Sequence, residues 1–362
     1  MNSVKVELGD RSYEVRIGSG MLKEMVGGVS GRAIFVVDDN VLPLLGDFFV
    51  VGEGKAYISM FASESNKTMP AVEKIWKAML DSGCNRSTSL VAIGGGIVGD
   101  VGGFAAATFM RGVPLIQVPT TLLAMVDASI GGKTGVNTKR TRSDGSELLG
   151  KNLAGAFWQP KLVVADVEML KSLDTRQLRC GLAECVKHAM LKNPSLLDFI
   201  ETNFEKILAC NVEVMEKLVF LSASIKAKVV SNDERERGER ALLNLGHTFA
   251  HAMEPMPELG LLHGEAVSIG LVAASSCAKS LGMVSESFVI RTKEVLLKLG
   301  LPIQMNVALP ASHFISMMQL DKKNQDGCMR LVLPEGDLGA VIRDNVDRDT
   351  ISHALQAVGA KA

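Results

Sequence analysis

Three of the six histidines in the chain lie close together in the sequence, at positions 247, 251 and 263. His247 and His251 are four residues apart, so their imidazoles would share one face of a helix. The pair is similar to the zinc-binding pair of HExxH, but Thr248 stands where that motif needs glutamate, which excludes such a metalloprotease. Two hydrogen-bonded core histidines are an equally good interpretation of this spacing.

Glu184 is the residue that could complete a metal site with these histidines, and it lies in the apolar helical stretch GLAECVKHA (181–189). A catalytic zinc takes three nitrogen or oxygen ligands and keeps one position open, so two histidines need a carboxylate. His263 begins a further helix, and a helix hairpin would return it to the same place. Buried glutamate is rare without a partner, which favours a ligand role. An ion pair with Lys187, one turn along, is the alternative.

A glycine-rich turn, GGGIVGDVGGF (94–104), follows a predicted strand and opens a helix. Glycines let the backbone approach a pyrophosphate, and a helix N-terminus supplies free N–H groups for it. The turn does not match GxGxxG and lacks the GK[ST] of a P-loop, which disfavours ATP. Asp38 and the Thr120–Thr121 pair end two other predicted strands. Together these features favour NAD, although tight strand-to-helix packing and simple turn or cap roles would also explain them.

Several cationic side chains neighbour these two motifs. One of them, Lys133, lies in the glycine context SIGGKTG, unlike the lysines of a surface helix. Cations around one pocket suit an anionic substrate that carries phosphate and carboxylate groups. The charged run SNDERERGER (231–240) reads as a solvated face for most of its members. The cations concerned are Arg111, Lys133, Lys151, Lys187, Lys226 and Arg240.

The predicted secondary structure that must position these residues changes near residue 168, from alternating strands and helices to helices alone. Before it, short β-branched runs alternate with helical stretches, which predicts a mostly parallel sheet covered on both faces, with its ligand at the carboxyl ends of the strands. After about residue 170 the pattern predicts helices at 177–191, 212–230, 243–254 and 265–281. The polar segment 139–147 predicts an exposed loop, and the first eighteen residues predict a strand pair.

The composition excludes several classes of protein. The 362 residues carry a net charge of −1 and only 5% aromatic residues, which argues against a nucleic-acid partner. The most apolar stretches contain Asp100 and Glu265, so neither predicts a membrane span, and the start has no signal-peptide pattern. The six cysteines form no CxxC pair, which predicts reduced core thiols and a cytoplasmic protein.

Seven segments occur in an order that carries a resemblance to a known family. They are GGGIVGDVGGFAAATFMRG (94–112), VPTTLLAMVDASIGGKTGVN (118–137), GKNLAGAFWQP (150–160), GLAECVKH (181–188), LLNLGHTFAHAME (242–254), LLHGEAVSIG (261–270) and DKKN (321–324). In this set and order the chain resembles the 3-dehydroquinate synthases, which are sugar-phosphate cyclases. Departures from the family pattern are ASESNK at 62–67, Ser172 and a longer link at 138–149.

The resemblance implies an N-terminal α/β domain at 1–168 that binds NAD and a mainly helical domain at 169–362 that binds metal and substrate. It implies a homodimer that converts a small sugar phosphate, 3-deoxy-D-arabino-heptulosonate 7-phosphate, to 3-dehydroquinate and phosphate. Another sugar-phosphate cyclase, a metal- and NAD-dependent polyol dehydrogenase and a non-catalytic NAD-sensing module are the alternatives.

Site residues follow from the resemblance position by position. Glu184, His247 and His263 would hold Zn²⁺ or Co²⁺, and His251 would be an acid/base group. The substrate residues implied are Arg111, Asp127, Lys133, Lys151, Asn152, Lys187, Lys226, Arg240, Asn244 and Lys322 (or its neighbour Lys323). The cofactor residues implied are Asp38, Asn40, Glu64, Lys67, Gly96, Ile97, Val98, Gly99, Asp100, Thr120, Thr121, Lys133, Lys151, Met169, Leu170, Lys171 and Ser172.

Overall fold

The structure is a computed structural model that describes residues 1–49, 52–141, 147–191, 193–319 and 329–362. The chain forms two compact units. The first comprises Met1–Leu173 together with Met215–Arg235, and the second comprises Asp174–Val214 and Glu236–Ala362. The segment Met215–Arg235 therefore belongs to the first unit although it comes late in the sequence.

A seven-stranded sheet is the centre of the first unit, and all of its neighbouring strands are parallel except the first pair. This confirms the predicted mostly parallel sheet and the N-terminal strand pair. The strands of the unit are β1 (Asn2–Val6), β2 (Tyr13–Gly18), β3 (Ala33–Asp38), β4 (Lys55–Met60), β5 (Ser89–Gly94), β6 (Leu115–Pro119), β7 (Lys133–Thr141), β8 (Glu147–Phe157) and β9 (Leu162–Asp166). The sheet order is β1-β2-β9-β6-β5-β3-β4.

Helices cover both faces of this sheet. Successive side chains of a strand point to opposite faces, and since those of β3 are apolar on both sides, both faces need a covering layer. On one face Ile34 and Val36 of β3 pack with Val72 and Val101. On the other face Phe35 of β3 packs in a separate cluster, which includes residues of the first two helices. The helices of the unit are α1 (Leu22–Gly28), α2 (Leu42–Leu45), α3 (Met69–Asp81) and α4 (Gly96–Thr108). Burial of each such aliphatic side chain contributes about 1.5–3 kcal/mol to the stability of the fold.

Strands β7 and β8 form a separate antiparallel hairpin whose register shifts between Val136 and Thr138. The predicted exposed loop at 139–147 is therefore wrong for 139–141 and 147, which belong to the paired strands. The base of the hairpin packs in the core through Val136, but residues 139–141 and 147 are polar and pair through backbone hydrogen bonds, so the sequence pattern does not predict them as strands. Residues 142–146 of the predicted loop lie outside the described part of the chain.

The second unit is mainly helical, as predicted. Its centre is the helix His263–Ser280, in which Gly264 and residues 266–275 are buried, and the helices Thr175–Met190, His247–Met253, Glu286–Lys298 and Arg348–Gln356 pack on it. The helices are α5 (Thr175–Met190), α6 (Pro194–Leu208), α7 (Val212–Asn232, most of which belongs to the first unit), α8 (His247–Met253), α9 (His263–Ser280), which is the central one, α10 (Glu286–Lys298), α11 (Ala311–Gln319) and α12 (Arg348–Gln356).

Two features of this unit differ from the expectation. The helix predicted at 243–254 begins only at His247, because a 3-10 helix (Glu239–Asn244) ends before Gly246, which has a φ of 75°. Strands β10 (Arg330–Pro334) and β11 (Ala340–Asp344) form a hairpin that the helical pattern does not predict. None of the described helices is long and apolar enough to span a bilayer. Of the five cysteines in the described ranges, four are buried, as expected of core thiols, and Cys210 is half-buried.

Candidate active site

Glu184, His247 and His263 come together in the second unit, each from a different helix. The Oε1 atom of Glu184 lies 3.6 Å from Nε2 of His247 and 3.7 Å from Nε2 of His263. All three ligand atoms lie within 4.8 Å of one another. Ligand atoms on one tetrahedral zinc are about 3.3–3.6 Å apart, given bonds of about 2.0–2.2 Å. The donor set therefore fits a single divalent ion with small movements.

The helices can bring these residues together because two glycines permit close approach. A Cβ atom on Gly264 would lie 2.3 Å from the Cα of Cys180, so only glycine lets α9 cross α5 at this point. Cys180 lies one turn before Glu184, and Gly264 directly follows His263, so the crossing places carboxylate and imidazole side by side. Gly246 gives the chain its left-handed turn just before His247.

The imidazoles of His247 and His263 are both oriented through their second nitrogen. Nδ1 of His247 lies 3.1 Å from the carbonyl oxygen of Leu245, and Nδ1 of His263 lies 3.3 Å from Oε2 of Glu254. An Nδ1–H that donates to an oxygen leaves the lone pair on Nε2. Each Nε2 faces Glu184, so the hydrogen bonds present the nitrogens that an ion would need.

The two imidazoles differ in their electrostatics. Burial, together with the positive charge of Lys187, lowers the pKa of His247 well below its usual value. Burial also acts to lower the pKa of His263, but hydrogen bonds to Glu184 and Glu254 outweigh it and raise that pKa to about 10. At neutral pH the metal-free site thus holds a neutral His247 and a protonated His263. A metal ion must displace that proton.

Lys187 contacts the carboxylate of Glu184, and both side chains are fully or almost fully buried. The predicted alternative, an ion pair between two residues one helical turn apart, is therefore present. It coexists with the grouping of the histidines around the same carboxylate. A buried charge without a partner is strongly destabilising, so Lys187 offsets the burial of Glu184.

The other candidates of the second unit lie around this centre. The His251 ring centroid is 5.5 Å from that of His247, and His251 is not part of the metal-ligand group found among the described residues. Arg240 is 1% exposed in the 3-10 helix. Asn244 donates to Glu236 at 2.8 Å and to the Ala241 carbonyl at 3.1 Å. The predicted substrate residue Lys322 and its neighbour Lys323 lie outside the described residues.

The cofactor candidates of the first unit gather at the carboxyl ends of the parallel strands. From β3 the chain leads to β4 on one side, and from β5 it leads to β6 on the other, so these neighbouring strands form a topological switch point. A Cβ on Gly94 would lie 3.1 Å from the Cβ of Asp38, and one on Gly95 would lie 3.1 Å from Cγ2 of Thr121. This edge therefore leaves no room for side chains at the glycine turn.

Helix α4 begins at this edge without a side-chain cap. The first N–H groups of a helix have no partner within it, and together with the helix dipole they favour a bound anion. The candidates Gly96, Ile97, Val98, Gly99 and Asp100 form this first part of α4. Thr120 and Thr121 follow β6, and Met169, Leu170, Lys171 and Ser172 follow β9 in a 3-10 helix (Val167–Ser172). The arrangement fits the pyrophosphate of a dinucleotide.

Asp38 is buried at the end of β3, and burial raises the pKa of its carboxyl despite hydrogen bonds from Asn40. The backbone N–H and the side-chain amide of Asn40 donate to Oδ1 of Asp38 at 3.0 and 3.1 Å. Asp38 therefore has the predicted turn role, since its carboxylate accepts hydrogen bonds from the turn that follows β3. The position at the switch point is also where an acidic residue binds a ribose hydroxyl.

Glu64 and Lys67 reach the same region from the segment after β4. Buried Lys67 contacts Asp100 of α4, and burial raises the pKa of Asp100 although Lys67 opposes this. Asn137 of β7 donates through Nδ2 to Oε2 of Glu64 at 2.7 Å. The hairpin β7–β8 is therefore bonded directly to a candidate cofactor segment.

The substrate candidates of the first unit are partly brought together. Nζ of buried Lys226, on α7, donates to Oδ1 of Asp127 at 2.6 Å. Arg111 and Asn152 are exposed and have left-handed backbones, with φ of 69° and 54°. Lys133 is exposed at the start of β7, and Lys151 is half-buried in β8 beside Asn152.

Three residues near the candidate site were not singled out by sequence reasoning, namely Asn137, Glu236 and Glu254. Asn137 ends the family-like segment 118–137, and Glu254 ends the segment 242–254, so both lay within motifs already noticed. Glu236 lies within a charged run that reads as a solvated face. Hydrogen bonds reveal all three, and those bonds depend on strand register and helix crossing.

Comparison with protein families gives matches over most of the chain. Residues 57–180 match the model described as 3-dehydroquinate synthase N-terminal, and residues 181–324 match the one described as 3-dehydroquinate synthase C-terminal. A 3-dehydroquinate synthase of Saccharophagus degradans is 41% identical over 368 aligned residues, which cover 99% of both proteins.

Solved structures of similar fold include two synthases. ValA, a 2-epi-5-epi-valiolone synthase from Streptomyces hygroscopicus with NAD⁺ and Zn²⁺ bound, has a TM-score of 0.85 at 29% identity over 96% of each chain. A 2-deoxy-scyllo-inosose synthase complexed with carbaglucose-6-phosphate, NAD⁺ and Co²⁺ has a TM-score of 0.83 at 24% identity. It covers 98% of this chain and 99% of that chain, and this likeness shows the common fold.

Proposed function

Because the chain belongs to the 3-dehydroquinate synthase family, we propose that it converts 3-deoxy-D-arabino-heptulosonate 7-phosphate to 3-dehydroquinate and inorganic phosphate. The reaction places it in the shikimate pathway of aromatic amino acid biosynthesis. The observation that carries the proposal is the grouping of Glu184, His247 and His263 in a chain so similar to these enzymes over its whole length.

NAD and Zn²⁺ or Co²⁺ are the cofactors of this proposal. When bound, they supply a hydride acceptor that later returns the hydride, and a Lewis acid that polarises the hydroxyl on the carbon being oxidised. Glu184, His247 and His263 would hold the metal, because Nε2 of both imidazoles faces the carboxylate of Glu184. The glycine turn at the start of α4, Asp38 and the other carboxyl-edge residues of the first unit hold NAD.

The protein's own residues bind the substrate and move protons. Lys133, Lys226 and Arg240 bind phosphate, and Asp127 holds the Lys226 ammonium in place at 2.6 Å. Lys187, Asn152 and Asn244 fix the carboxylate and hydroxyls, and Arg111, Lys151 and Lys322 complete the set. Oxidation of one hydroxyl to a ketone acidifies the neighbouring C–H. When a base takes that proton, the electron pair of the C–H bond forms a C=C bond, and phosphate leaves with the electron pair of the broken C–O bond.

His251, whose ring lies against that of His247, is the group proposed to carry protons. Acid/base catalysis of this kind contributes about 10²–10⁴ in rate, which is about 3–5 kcal/mol. Holding one molecule in place through oxidation, elimination, reduction and ring closure contributes about 7–11 kcal/mol. Positioning by the many cations and amides therefore outweighs any single acid or base.

The alternatives differ in what they release. A polyol dehydrogenase would accumulate NADH, and a non-catalytic NAD-sensing module would give no turnover. Another sugar-phosphate cyclase is the closer rival, but the 41% identity to a 3-dehydroquinate synthase exceeds the 29% identity to ValA. The function is tested by incubating the protein with the heptulosonate phosphate, NAD and zinc. We expect inorganic phosphate without net NADH, whereas NADH in proportion to turnover would refute the proposal.

We further propose that the protein acts in the cytoplasm as a homodimer and has no nucleic-acid partner. Four of the five cysteines in the described residues are buried in the core, which suits a reducing compartment. The near-neutral charge gives no footprint for nucleic acid. Light scattering after size-exclusion chromatography measures the mass of the protein in solution. A mass equal to that of one chain would exclude the dimer.

A further inference from the structure

Asn137 lies where the hairpin β7–β8 changes register, between the pairs Val136–Ala154 and Thr138–Gly150. Its side chain is buried, with the residue 4% exposed. Its backbone N–H donates to the carbonyl of Lys67 at 2.8 Å, outside the hairpin. The residue therefore joins the hairpin to the segment that carries Glu64 and Lys67.

The side-chain amide of Asn137 bonds in two directions. Nδ2 donates to Oε2 of Glu64 at 2.7 Å and to the Glu64 carbonyl at 3.2 Å. Oδ1 accepts the backbone N–H of Asn152 at 3.0 Å. An asparagine offers two N–H donors and a carbonyl acceptor, so these contacts use both kinds of group. No carboxylate or hydroxyl of similar size could make the same set.

Both ends of this connection carry candidate ligand contacts. The backbone of Asn152 has a φ of 54°, a left-handed conformation that asparagine adopts more often than most residues, and the hydrogen bond from its N–H to Asn137 holds it in position. The Glu64 carboxylate is on an exposed residue and has the amide of Asn137 as a fixed donor. One buried amide thus orients a cofactor segment and a substrate segment together.

We infer that Asn137 is a positioning residue that couples the cofactor contact Glu64 to the substrate contact Asn152. The inference rests on the proposed function, which makes these residues ligand contacts. Its consequence is that changes at Asn137 alter ligand binding through Glu64 and Asn152, without Asn137 itself touching either ligand.

The experiment compares Asn137→Asp with Asn137→Ala by titration with NAD and by steady-state kinetics. Aspartate keeps an acceptor for Asn152 but faces the Glu64 carboxylate, so the Kd for NAD rises about 10-fold while KM for the heptulosonate phosphate stays within about twofold. Alanine removes both bonds, so both constants rise. Asn85→Asp makes the same chemical change at an exposed turn and leaves both constants at their wild-type values.

A charge-swapped pair makes the test specific. In Glu64→Gln combined with Asn137→Asp, the glutamine amide donates to the new carboxylate, so the Kd for NAD returns to within about threefold of that of Glu64→Gln alone. The inference would be overturned if the change in the Kd for NAD in the double variant equalled the product of the changes in the two single variants. It would also be overturned if Asn137→Ala changed only thermal stability, because Asn137 would then have a merely structural role. NAD titration needs no turnover, so this outcome is separate from a wild-type protein that releases no phosphate.

Discussion

At the scale of single residues, the carboxylate of Glu184 serves two kinds of partner. It contacts the Lys187 ammonium and faces Nε2 of His247 and His263. Opposite charge nearby favours the ionised carboxylate that a metal needs, and it also stabilises the buried charge when no metal is bound. The ion pair and the metal site thus support one another.

The two histidines on α8 are expected to have different roles. In His247→Ala, one of three ligands is lost, so the purified protein should contain little bound zinc. In His251→Ala, the ligands remain, so zinc stays near one per chain while the rate of phosphate release falls about 10²–10⁴-fold. Metal analysis by plasma emission distinguishes the two. Zinc retained in the first variant and lost in the second would reverse the assignment.

Glu254 is expected to act through His263. In Glu254→Gln the charged acceptor of the Nδ1 hydrogen bond becomes neutral, which weakens imidazole as a ligand and lowers zinc affinity by about 10-fold. Competition with a coloured chelator measures this affinity. Glu258→Gln changes an exposed carboxylate a few residues away and serves as the control. Equal zinc affinities for the two variants would contradict the role given to Glu254.

At the scale of elements, the crossing of α5 and α9 determines whether the site forms at all. In Gly264→Ala, the new Cβ would lie 2.3 Å from the Cα of Cys180, so the helices must separate. We expect a loss of about 1–3 kcal/mol in the free energy of unfolding together with weaker zinc binding. Gly27→Ala in α1 adds the same methyl group where no atom lies within 4 Å, and should change stability by less than about 1 kcal/mol. Urea titration gives both values, and equal losses would refute the close crossing.

The sequence predicted the elements that bury a continuous apolar face and missed the hairpins β7–β8 and β10–β11. Strand β3, whose residues are all buried, and helix α3 have strong apolar patterns, because each buries a continuous face. The outer pairs of hairpin β7–β8 have polar side chains, which give no apolar pattern. Strands β10 (RLVLP) and β11 (AVIRD) are short apolar runs, in which periodicity does not separate a strand from a helix segment. The start of α8 depends on Gly246 packing its carbonyl where a Cβ on Gly270 would lie 2.3 Å away, a contact between residues distant in sequence.

The candidate site was predictable in its residue types but not in its supporting contacts. His247 and Glu184 stood out by spacing and by an apolar context, and the structure groups them with His263. The role of Glu254 depends on how the chain returns from α8 to α9. That of Asn137 depends on a register shift in a hairpin. Neither geometry leaves a periodic trace in a single sequence.

At the scale of the whole molecule, metal binding and folding should be linked through protons. The pKa of His263 is raised to about 10 in the metal-free fold, so its charge stabilises that fold below the usual imidazole pKa of about 6.5. This contribution is lost as the pH rises toward 10. Zinc must displace the proton, so its affinity should rise with pH over the same range.

Calorimetry and thermal unfolding can measure this linkage. At pH 7.5, zinc binding should release about one proton per ion, seen as a dependence of the binding heat on the buffer. The zinc-induced rise in Tm should grow between pH 6.5 and 8.5, and chelator should abolish it. A Tm shift that shrinks with rising pH, or no proton release, would contradict the charge state given to His263.

The register shift in the β7–β8 hairpin has a consequence for how this protein can vary in evolution. The outer pairs, from Thr138–Gly150 to Thr141–Glu147, lie beyond the shift, whereas Lys133, Asn137, Lys151 and Asn152 lie at it or before it. Insertions or deletions in the outer rungs would therefore lengthen or shorten a ribbon without disturbing the residues at its base. We therefore expect differences in chain length between relatives to fall in these outer pairs, and a grafted tag or epitope to be tolerated there.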